Sequence, residues 1–298
     1  KRISQKMEGT MMSKESYKMD MCNGPVLQKV IAFSLPLMLS SCLQLLFNAA
    51  DVIVVGRFAG SPSLAAVGST TELLSLLTTL FIGFSIGANV NVARTLGNQD
   101  DQGTKDGIHT AVSVSILSGS AMILLGFLFG RPMLQWMGTP ADVIDKASLY
   151  LMIIFIGMPS NMAYNFGSAI LRAMGDTKRP LYFLSAAGVL NVVLNLIFVI
   201  VLHMDVAGVA LATILSETLS AVLILNCLCR TDGPCHLNIR KLYIQKDQLI
   251  RMLRIGLPAG IQSGMFSFSN VLIQSSINSF GSIAMAGSTA SANVEGFV

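Results

Sequence analysis

Four carboxylates lie inside long apolar stretches of the sequence, and they have the most evident chemical potential: Asp51, Glu72, Glu217 and Glu295. If those stretches cross a membrane, each carboxylate costs about 2.5–3.5 kcal/mol on insertion scales, so it usually faces the protein interior and has a function. Asp51 is the most informative because the apolar run Val52–Val55 continues past it. A carboxylate there suits a group that takes up and releases a proton. The competing interpretation is that Asp51 only caps the outer end of its helix.

Polar residues with helical spacing accompany these carboxylates. Residues three or four positions apart share a helix face, and three pairs have that spacing: Asn48 with Asp51, Asn191 with Asn195, and Thr213 with Glu217. We predict that these side chains converge between the first, fifth and sixth helices. The alternative is that the amides and hydroxyls only join helices by hydrogen bonds, as Asn and Thr often do in membranes.

The elements that position these residues are long apolar segments. The 298-residue chain is 52% hydrophobic and 12% charged, whereas a soluble domain has about 25% charged residues. A membrane-spanning helix needs about 20 apolar residues, and seven complete segments qualify: Ile31–Val55, Ser63–Val92, Ile108–Phe129, Ala147–Leu171, Leu181–Leu202, Val206–Leu228 and Ile255–Phe280. An eighth begins near Ile283. The segments lack the alternation of a membrane β-barrel, so we predict an all-α, polytopic helical bundle.

The basic residues indicate the direction in which these helices run. Of the 20 Lys and Arg residues, 17 fall in the segments that are cytoplasmic if the N-terminus is cytoplasmic: 1–30, 93–107, 172–180 and 229–254. The outer connections contain only Arg57, Arg131 and Lys146. This asymmetry follows the positive-inside rule and predicts a cytoplasmic N-terminus.

An internal repeat divides the chain. Aligning Pro36 with Pro258 also places Asn48 on Asn270, and the two repeated helices run in the same direction. Two parallel six-helix halves around a central cavity are a transporter plan. We therefore expect four regions: a cytoplasmic N-terminal segment 1–29, a six-helix N-lobe 30–228, a cytoplasmic inter-lobe linker 229–254 and the start of a C-lobe 255–298. Because the chain begins without Met and ends inside an apolar run, we expect a fragment of a protein with about twelve helices.

Missing motifs argue against several other functions. The sequence contains neither a G-x-x-x-x-G-K-[ST] phosphate loop nor an H-E-x-x-H motif, which argues against ATP hydrolysis and against a membrane metalloprotease. Its basic residues form no aromatic-interleaved face for nucleic acid. The residues Cys227, Cys229, Cys235 and His236 fit no standard zinc spacing. We therefore predict a protein that is not an enzyme and that binds no metal cofactor and no nucleic acid.

The most specific motif is the predicted cytoplasmic loop between the fourth and fifth helices. It reads LRAMGDTKRP over residues 171–180, and three shorter matches accompany it: NAAD at 48–51, LAAVG at 64–68 and GVALAT at 208–213. On these residues the chain resembles the multidrug and toxic compound extrusion (MATE) family. The resemblance extends over nearly all of the chain, from about Gly24 to Val298.

The resemblance implies a fold and a function. It implies the fold of the MOP superfamily, with twelve helices in two six-helix lobes and alternating access. It also implies a multi-pass plasma-membrane transporter, expected to be monomeric, that exports small organic, often cationic, compounds. The expected coupling is antiport against protons or sodium, with no cofactor besides that ion.

The resemblance also implies particular site residues. Asp51, Asn191 and Thr213 match a cation-coupling site of the N-lobe. Asn195 stands where related proteins often have aspartate, so the choice between proton and sodium stays open, and Glu217 is a candidate to compensate. Two further candidates complete the set: Asn48, beside Asp51, and Glu295, the single acid in the C-lobe part of the chain after Ile255.

Two alternatives keep the membrane bundle and change its function. The first is a flippase for a lipid-linked precursor, of the same superfamily. Such a protein needs basic residues in its cavity to hold a pyrophosphate, and none lies within the complete apolar segments. The second is a membrane sensor or subunit that transports nothing, which a soluble output domain encoded downstream would favour.

Overall fold

The computed structural model describes residues 25–295, and all regular secondary structure in that range is helical. Eight α-helices follow one another along the described chain: α1 Val26–Val54, α2 Ser61–Gly97, α3 Asp101–Trp136, α4 Ile144–Ala173, α5 Lys178–Asn195, α6 Asp205–Cys229, α7 Lys246–Asn278 and α8 Ser282–Glu295. Two short 3-10 turns, Gly233–Cys235 and Ile239–Lys241, lie between α6 and α7. The prediction of an all-α fold is confirmed.

Two turns show how local sequence ends one helix and begins the next. Gly60, between α1 and α2, has φ of 87°, and Gly175, after α4, has φ of 80°. Glycine adopts this left-handed region without steric cost. Beyond Gly175, the buried Asp176 accepts a hydrogen bond from the Arg179 backbone N–H at 3.1 Å and pairs with its Nε at 3.2 Å. The pair therefore fixes the first turn of α5.

Six helices of the described chain, α1 to α6, are long and apolar enough to cross a membrane. They coincide with the first six predicted segments, and most extend beyond the apolar residues into polar flanks. The seventh prediction, Ile255–Phe280, falls largely on α7, which has 33 residues. This helix is less apolar than the other six because Gln, Ser and Asn side chains interrupt it, and it is not one of the six. α8 begins at Ser282, next to the predicted start at Ile283.

α2 lies at the centre of the described bundle, where it packs against α3, α4, α7 and α8. Glycines let α2 and α7 approach closely. A Cβ atom added to Gly256 would lie 2.7 Å from the backbone oxygen of Gly83, and one added to Gly260 would lie 2.7 Å from that of Leu80. Small residues permit such close backbone packing between membrane helices. The α2–α7 contact therefore depends on the absence of side chains at these positions.

α1 is the least buried helix of the first six. Val54 is the one buried residue that α1 contains, and its main neighbouring helices are α5 and α8. α1 continues into the π-helical turn Val55–Ala59, and α5 continues into the π-helical turn Leu196–Val201. The two turns contact each other. π-helical segments are rare and often mark functional sites. The C-terminal ends of α1 and α5 are therefore candidate parts of a functional site.

The predicted region boundaries differ from the helix ends. α1 begins at Val26 rather than at residue 30, and most of the predicted N-terminal segment 1–29 lies outside the described residues, as do residues 296–298 of the predicted C-lobe region. α7 begins at Lys246, within the predicted 229–254 linker. Polar residues continue a helix beyond its apolar segment, so an apolar segment predicts a shorter element than the helix that forms. The assignment of these regions to two lobes remains a prediction.

Candidate functional site

A cavity of about 250 Å³ lies between α1, α4, α5 and α6. We call it the N-cavity. Part of its wall is apolar or aromatic, formed by residues such as Phe47, Tyr164, Leu184 and Ala187. The rest is polar and combines two carboxylates with amides: Asp51, Glu217, Gln44, Asn48, Asn161, Asn165 and Asn191. Among the described residues that line it, none is basic. The polar wall of the N-cavity is therefore acidic, and its carboxylate and amide oxygens are of the kind that bind cations.

Asp51 is joined to two amides of α5. The Nδ2 atom of Asn195 donates a hydrogen bond to Asp51 Oδ1, and it also donates to Asn191 Oδ1 at 3.2 Å. Both asparagines are buried, and the Oδ1 atom of Asn195 accepts no hydrogen bond from the described residues. The amide nitrogen thus lies between two oxygens. A small cation bound to oxygen ligands would occupy such a position.

Glu217 is joined to α4 rather than to α1 or α5. Asn161 Nδ2 donates to Glu217 Oε1 at 2.8 Å, and Asn165 Nδ2 donates to Asn161 Oδ1 at 2.9 Å. The neighbouring hydroxyls of Ser160 and Thr218 lie 3.0 Å apart and form a second link between α4 and α6. Glu217 is therefore fixed by a short hydrogen-bond chain between two packed helices.

Thr213 and Asn48 line the N-cavity without joining either hydrogen-bond chain. The Thr213 hydroxyl donates to the backbone oxygen of Val209 at 3.0 Å, one turn earlier in α6. Asn48 is exposed, and together with Asp51 it also lines a second cavity of about 160 Å³. That second cavity is lined by α1, α2, α7 and α8 together with Tyr150 of α4, and Glu72 is among its lining residues. Asp51 therefore lies between two cavities.

The structure brings together six of the seven predicted site residues. Asp51, Asn191 and Asn195 are linked by hydrogen bonds, while Asn48, Thr213 and Glu217 line the same cavity. Glu295 is apart from them. It is exposed at the end of α8 and lines neither of the two cavities.

The contribution of α4 is absent from the sequence prediction, which expected the first, fifth and sixth helices only. Asn161, Tyr164 and Asn165 of α4 all line the N-cavity. A signal was present, because Asn161 and Asn165 are four residues apart inside an apolar segment. This is the same spacing that identified Asn191 and Asn195. The hydrogen-bond partner of Glu217 is Asn161 of α4 rather than a residue of α5, and its role as a substitute for the missing α5 acid stays a prediction.

Comparison with known proteins agrees with this fold. The family model of MatE matches residues 36–197, which is more than half of the chain. The chain belongs to the MATE family. Its sequence is 31% identical over 272 residues to the probable multidrug resistance protein YpnP of Bacillus subtilis (strain 168), a match that covers 90% of this chain and 60% of that protein. It is also 23% identical over 262 residues to the multidrug export protein MepA of Staphylococcus aureus (strain bovine RF122 / ET3-1), covering 88% of this chain and 58% of that protein.

A solved MATE structure shares the architecture. The chain superposes on an inward-facing multidrug resistance MATE family transporter of the MOP superfamily with a TM-score of 0.78 and 25% sequence identity, covering 89% of this chain and 61% of that one. The chain thus has the MATE fold and is part of a multi-pass membrane protein. It spans about three-fifths of the length of these relatives.

Proposed function

We propose that the full-length protein exports small organic, often cationic, compounds across the plasma membrane by antiport against protons or sodium. The observation that carries this proposal is the N-cavity, in which two carboxylates lie inside a bundle of membrane-spanning helices, with no basic side chain among the described residues that line it. Relatives named as multidrug resistance and multidrug export proteins support the export of drug-like compounds. The aromatic and apolar part of the cavity wall suits the organic part of such a substrate.

Asp51 is the proposed site of the coupling ion. In the arrangement described, the NH₂ group of Asn195 faces Asp51, so the amide presents donors to the carboxylate. Sodium needs oxygen ligands, and a protonated Asp51 needs an acceptor for its O–H. Either ion is therefore best accommodated if the Asn195 amide turns and presents its buried Oδ1, which has no partner among the described residues. The orientation of the Asn195 amide would then depend on whether Asp51 has bound a sodium ion or a proton.

Glu217 is the proposed anchor for the positive charge of the substrate. Its carboxylate is fixed by Asn161 and faces the same cavity as the ring of Tyr164. A carboxylate close to aromatic side chains binds organic cations through ion pairing and cation–π contacts. The two carboxylates therefore have separate proposed roles, in which Asp51 binds the coupling ion and Glu217 binds the substrate.

The proposed topology has the N-terminus in the cytoplasm, and the proposed functional unit is one chain. The placement of 17 of the 20 basic residues in the segments on one side of the membrane supports this orientation. A single N-cavity formed by four helices of the same chain supports a unit that does not require a second copy.

Transport by the full-length protein in vesicles tests the proposal. With proton and sodium gradients imposed separately, we expect one gradient to drive efflux of a fluorescent organic cation. Asp51→Asn should lower this gradient-driven efflux at least about tenfold, because it removes the one ionisable group that Asn195 faces. Asp145→Asn is the control, since Asp145 is exposed and forms an ion pair with Arg131 outside the N-cavity.

The result that contradicts the proposal is wild-type efflux by Asp51→Asn. Absence of efflux by the wild-type protein under both gradients would favour a sensor or subunit instead. Movement of a lipid-linked pyrophosphate, without efflux of the cation, would favour a flippase.

A further inference from the structure

A third cavity, of about 440 Å³, lies at the opposite end of the α2–α7 contact from the α7–α8 turn. Three arginines line it: Arg94, near the end of α2, and Arg251 and Arg254, in the first turns of α7. We call it the basic cleft. Beside it, Asn91 Nδ2 donates to Gln248 Oε1 at 2.8 Å, and both of these side chains are buried. The two walls of the cleft are therefore held together independently of its arginines.

The charge of the basic cleft is not balanced within the described part of the chain. No acidic side chain lines it, and none of its arginines forms a salt bridge with a described residue. All three arginines are exposed, so solvent screens their mutual repulsion, and an anion bound between them would be attracted to all three. Phosphate is a preferred partner because the planar fork of arginine donates two parallel hydrogen bonds to its oxygens.

The cleft has an apolar end as well as a charged one. Val90 lies one turn before Arg94 in α2, and Ile255 lies one turn after Arg251 in α7. They are 40% and 38% exposed, and Ile86, a further turn along α2, is 44% exposed. A free phosphate would contact only the arginines. An amphiphile with an anionic head and an apolar chain would contact both the arginines and the apolar residues of the cleft.

The position of the cleft along the helices matches the surface of a bilayer. α2 has 37 residues and is therefore about 55 Å long, which exceeds the roughly 30 Å of a hydrocarbon core. Arg94 lies in the last turn of this helix, so we expect its guanidinium in the headgroup region and Val90 and Ile86 closer to the hydrocarbon. This end of the bundle is the one that the positive-inside rule assigns to the cytoplasm. Basic pockets between helices on that side bind anionic headgroups.

We propose that the basic cleft binds an anionic phospholipid of the cytoplasmic leaflet, with its phosphate between Arg94, Arg251 and Arg254 and an acyl chain along Val90 and Ile255. A lipid bound there would bridge the cytoplasmic ends of α2 and α7, which the internal repeat assigns to different lobes. The site does not depend on the N-cavity or on transport.

Lipid binding to the purified full-length protein tests the proposal. Native mass spectrometry counts the retained lipids, and Tm reports stabilisation by added phosphatidylglycerol or phosphatidylcholine. We expect phosphatidylglycerol to bind and to raise Tm more than phosphatidylcholine does. The triple variant R94Q/R251Q/R254Q should bind phosphatidylglycerol at least about tenfold more weakly, because each arginine near an anionic headgroup contributes to binding. The triple lysine variant R94K/R251K/R254K keeps the charge but loses the planar fork, so its binding should fall between that of the wild type and that of R94Q/R251Q/R254Q.

A matched control removes the same number of charges from the same side of the bundle, outside the cleft, with R230Q/R240Q/K241Q. We expect this control to keep the preference for phosphatidylglycerol. An equal loss in the control and in R94Q/R251Q/R254Q would overturn the proposal, because the effect would then come from net charge. Equal stabilisation by inorganic phosphate would also overturn it in favour of a phosphate site. If R94Q/R251Q/R254Q has a Tm below that of the wild type by the same amount in both lipids, the partner of the arginines would be a protein carboxylate. That result would also overturn the proposal.

Discussion

Two carboxylates line the same cavity, but the helices that carry them are held very differently. Asp51 is on α1, whose α-helical part has Val54 as its one buried residue, and its partner Asn195 is on α5. Glu217 is on α6 and its partner Asn161 is on α4. α4 and α6 pack extensively on each other and contain many buried residues, including Phe155, Phe166 and Ile224.

This difference bears on the roles proposed for the two carboxylates. A ligand shifts two states only by its differential affinity for them, so a coupling ion must bind where the surroundings can rearrange. α1 is mostly exposed and packs chiefly on α5, where Phe47 lies against Gly188 and Asp51 accepts a hydrogen bond from Asn195. The α4–α6 pair is part of a packed core, and core packing resists rearrangement. Asp51 is suited to coupling, and Glu217 is suited to holding a ligand in place.

The largest expected effect comes from removing the amide partner of Asp51. Asn195→Leu takes away the N–H donor that faces the carboxylate and leaves Asp51 without a described hydrogen-bond partner. Hydrogen bonds to charged groups contribute about 1.5–3 kcal/mol, so we expect gradient-driven efflux to fall about 10- to 100-fold. The measurement is the initial efflux rate in vesicles as a function of the imposed gradient.

The matched variant is Asn161→Leu, which removes the amide partner of Glu217. It should raise the substrate concentration needed for half-maximal efflux while the dependence on the gradient stays the same. If the two variants change the gradient dependence to the same extent, the distinction between a coupling carboxylate and an anchoring carboxylate is wrong.

A smaller effect is expected from Glu217→Gln, which keeps the acceptor for Asn161 and removes only the charge. We expect affinity for a monovalent organic cation to fall about tenfold, or about 1.4 kcal/mol, because the ion pair with the substrate is lost. Affinity for a neutral compound of similar shape serves as the control and should change little. Fluorescence polarisation of the labelled compounds measures both affinities, and equal losses for the two compounds would contradict the anchoring role.

The smallest effect is expected from breaking a hydrogen bond outside the membrane. It serves as a reference for the effects of breaking the two carboxylate–amide hydrogen bonds in the N-cavity. The Tyr243 hydroxyl in the linker donates to Asp106, and its ring stacks on His109 with 5.2 Å between the ring centres. Tyr243 is 38% exposed, so solvent screens the contact. Tyr243→Phe should change the free energy of unfolding by no more than about 0.5 kcal/mol, and efflux should be unaffected.

The same residue gives a pH dependence with a defined sign. Partial burial and the carboxylate of Asp106 raise the pKa of Tyr243 to about 12, so folding favours the neutral phenol. Its contribution is complete below the ordinary pKa of about 10 and is lost as the pH rises from about 10 to 12. Tm measured from pH 8 to 12 should fall slightly less for Tyr243→Phe than for the wild type. A steeper fall for the variant would contradict this assignment.

The sequence alone is sufficient to predict the membrane helices and many residues of the candidate site. An apolar segment of about 20 residues has few ways to satisfy its backbone in a membrane other than a helix, and the first six segments were found for that reason. α7 is less apolar because Gln, Ser and Asn interrupt it. Apolar composition alone therefore predicts α7 as a membrane-spanning helix less clearly than it predicts the other six. Residues such as Asn191 and Asn195 were found because polar residues are rare in these segments and their spacing identifies a common face.

What the sequence determined by itself was the set of membrane helices and the polar face that each presents. The tertiary structure alone decided which faces meet, because helical spacing defines a face but not how a helix is rotated and packed against its neighbours. That is why Asp51 pairs with Asn195 as a sequence prediction could anticipate, whereas Glu217 pairs with Asn161 of a helix that the prediction did not include. It is also why three arginines far apart in the sequence, on α2 and α7, line one cleft.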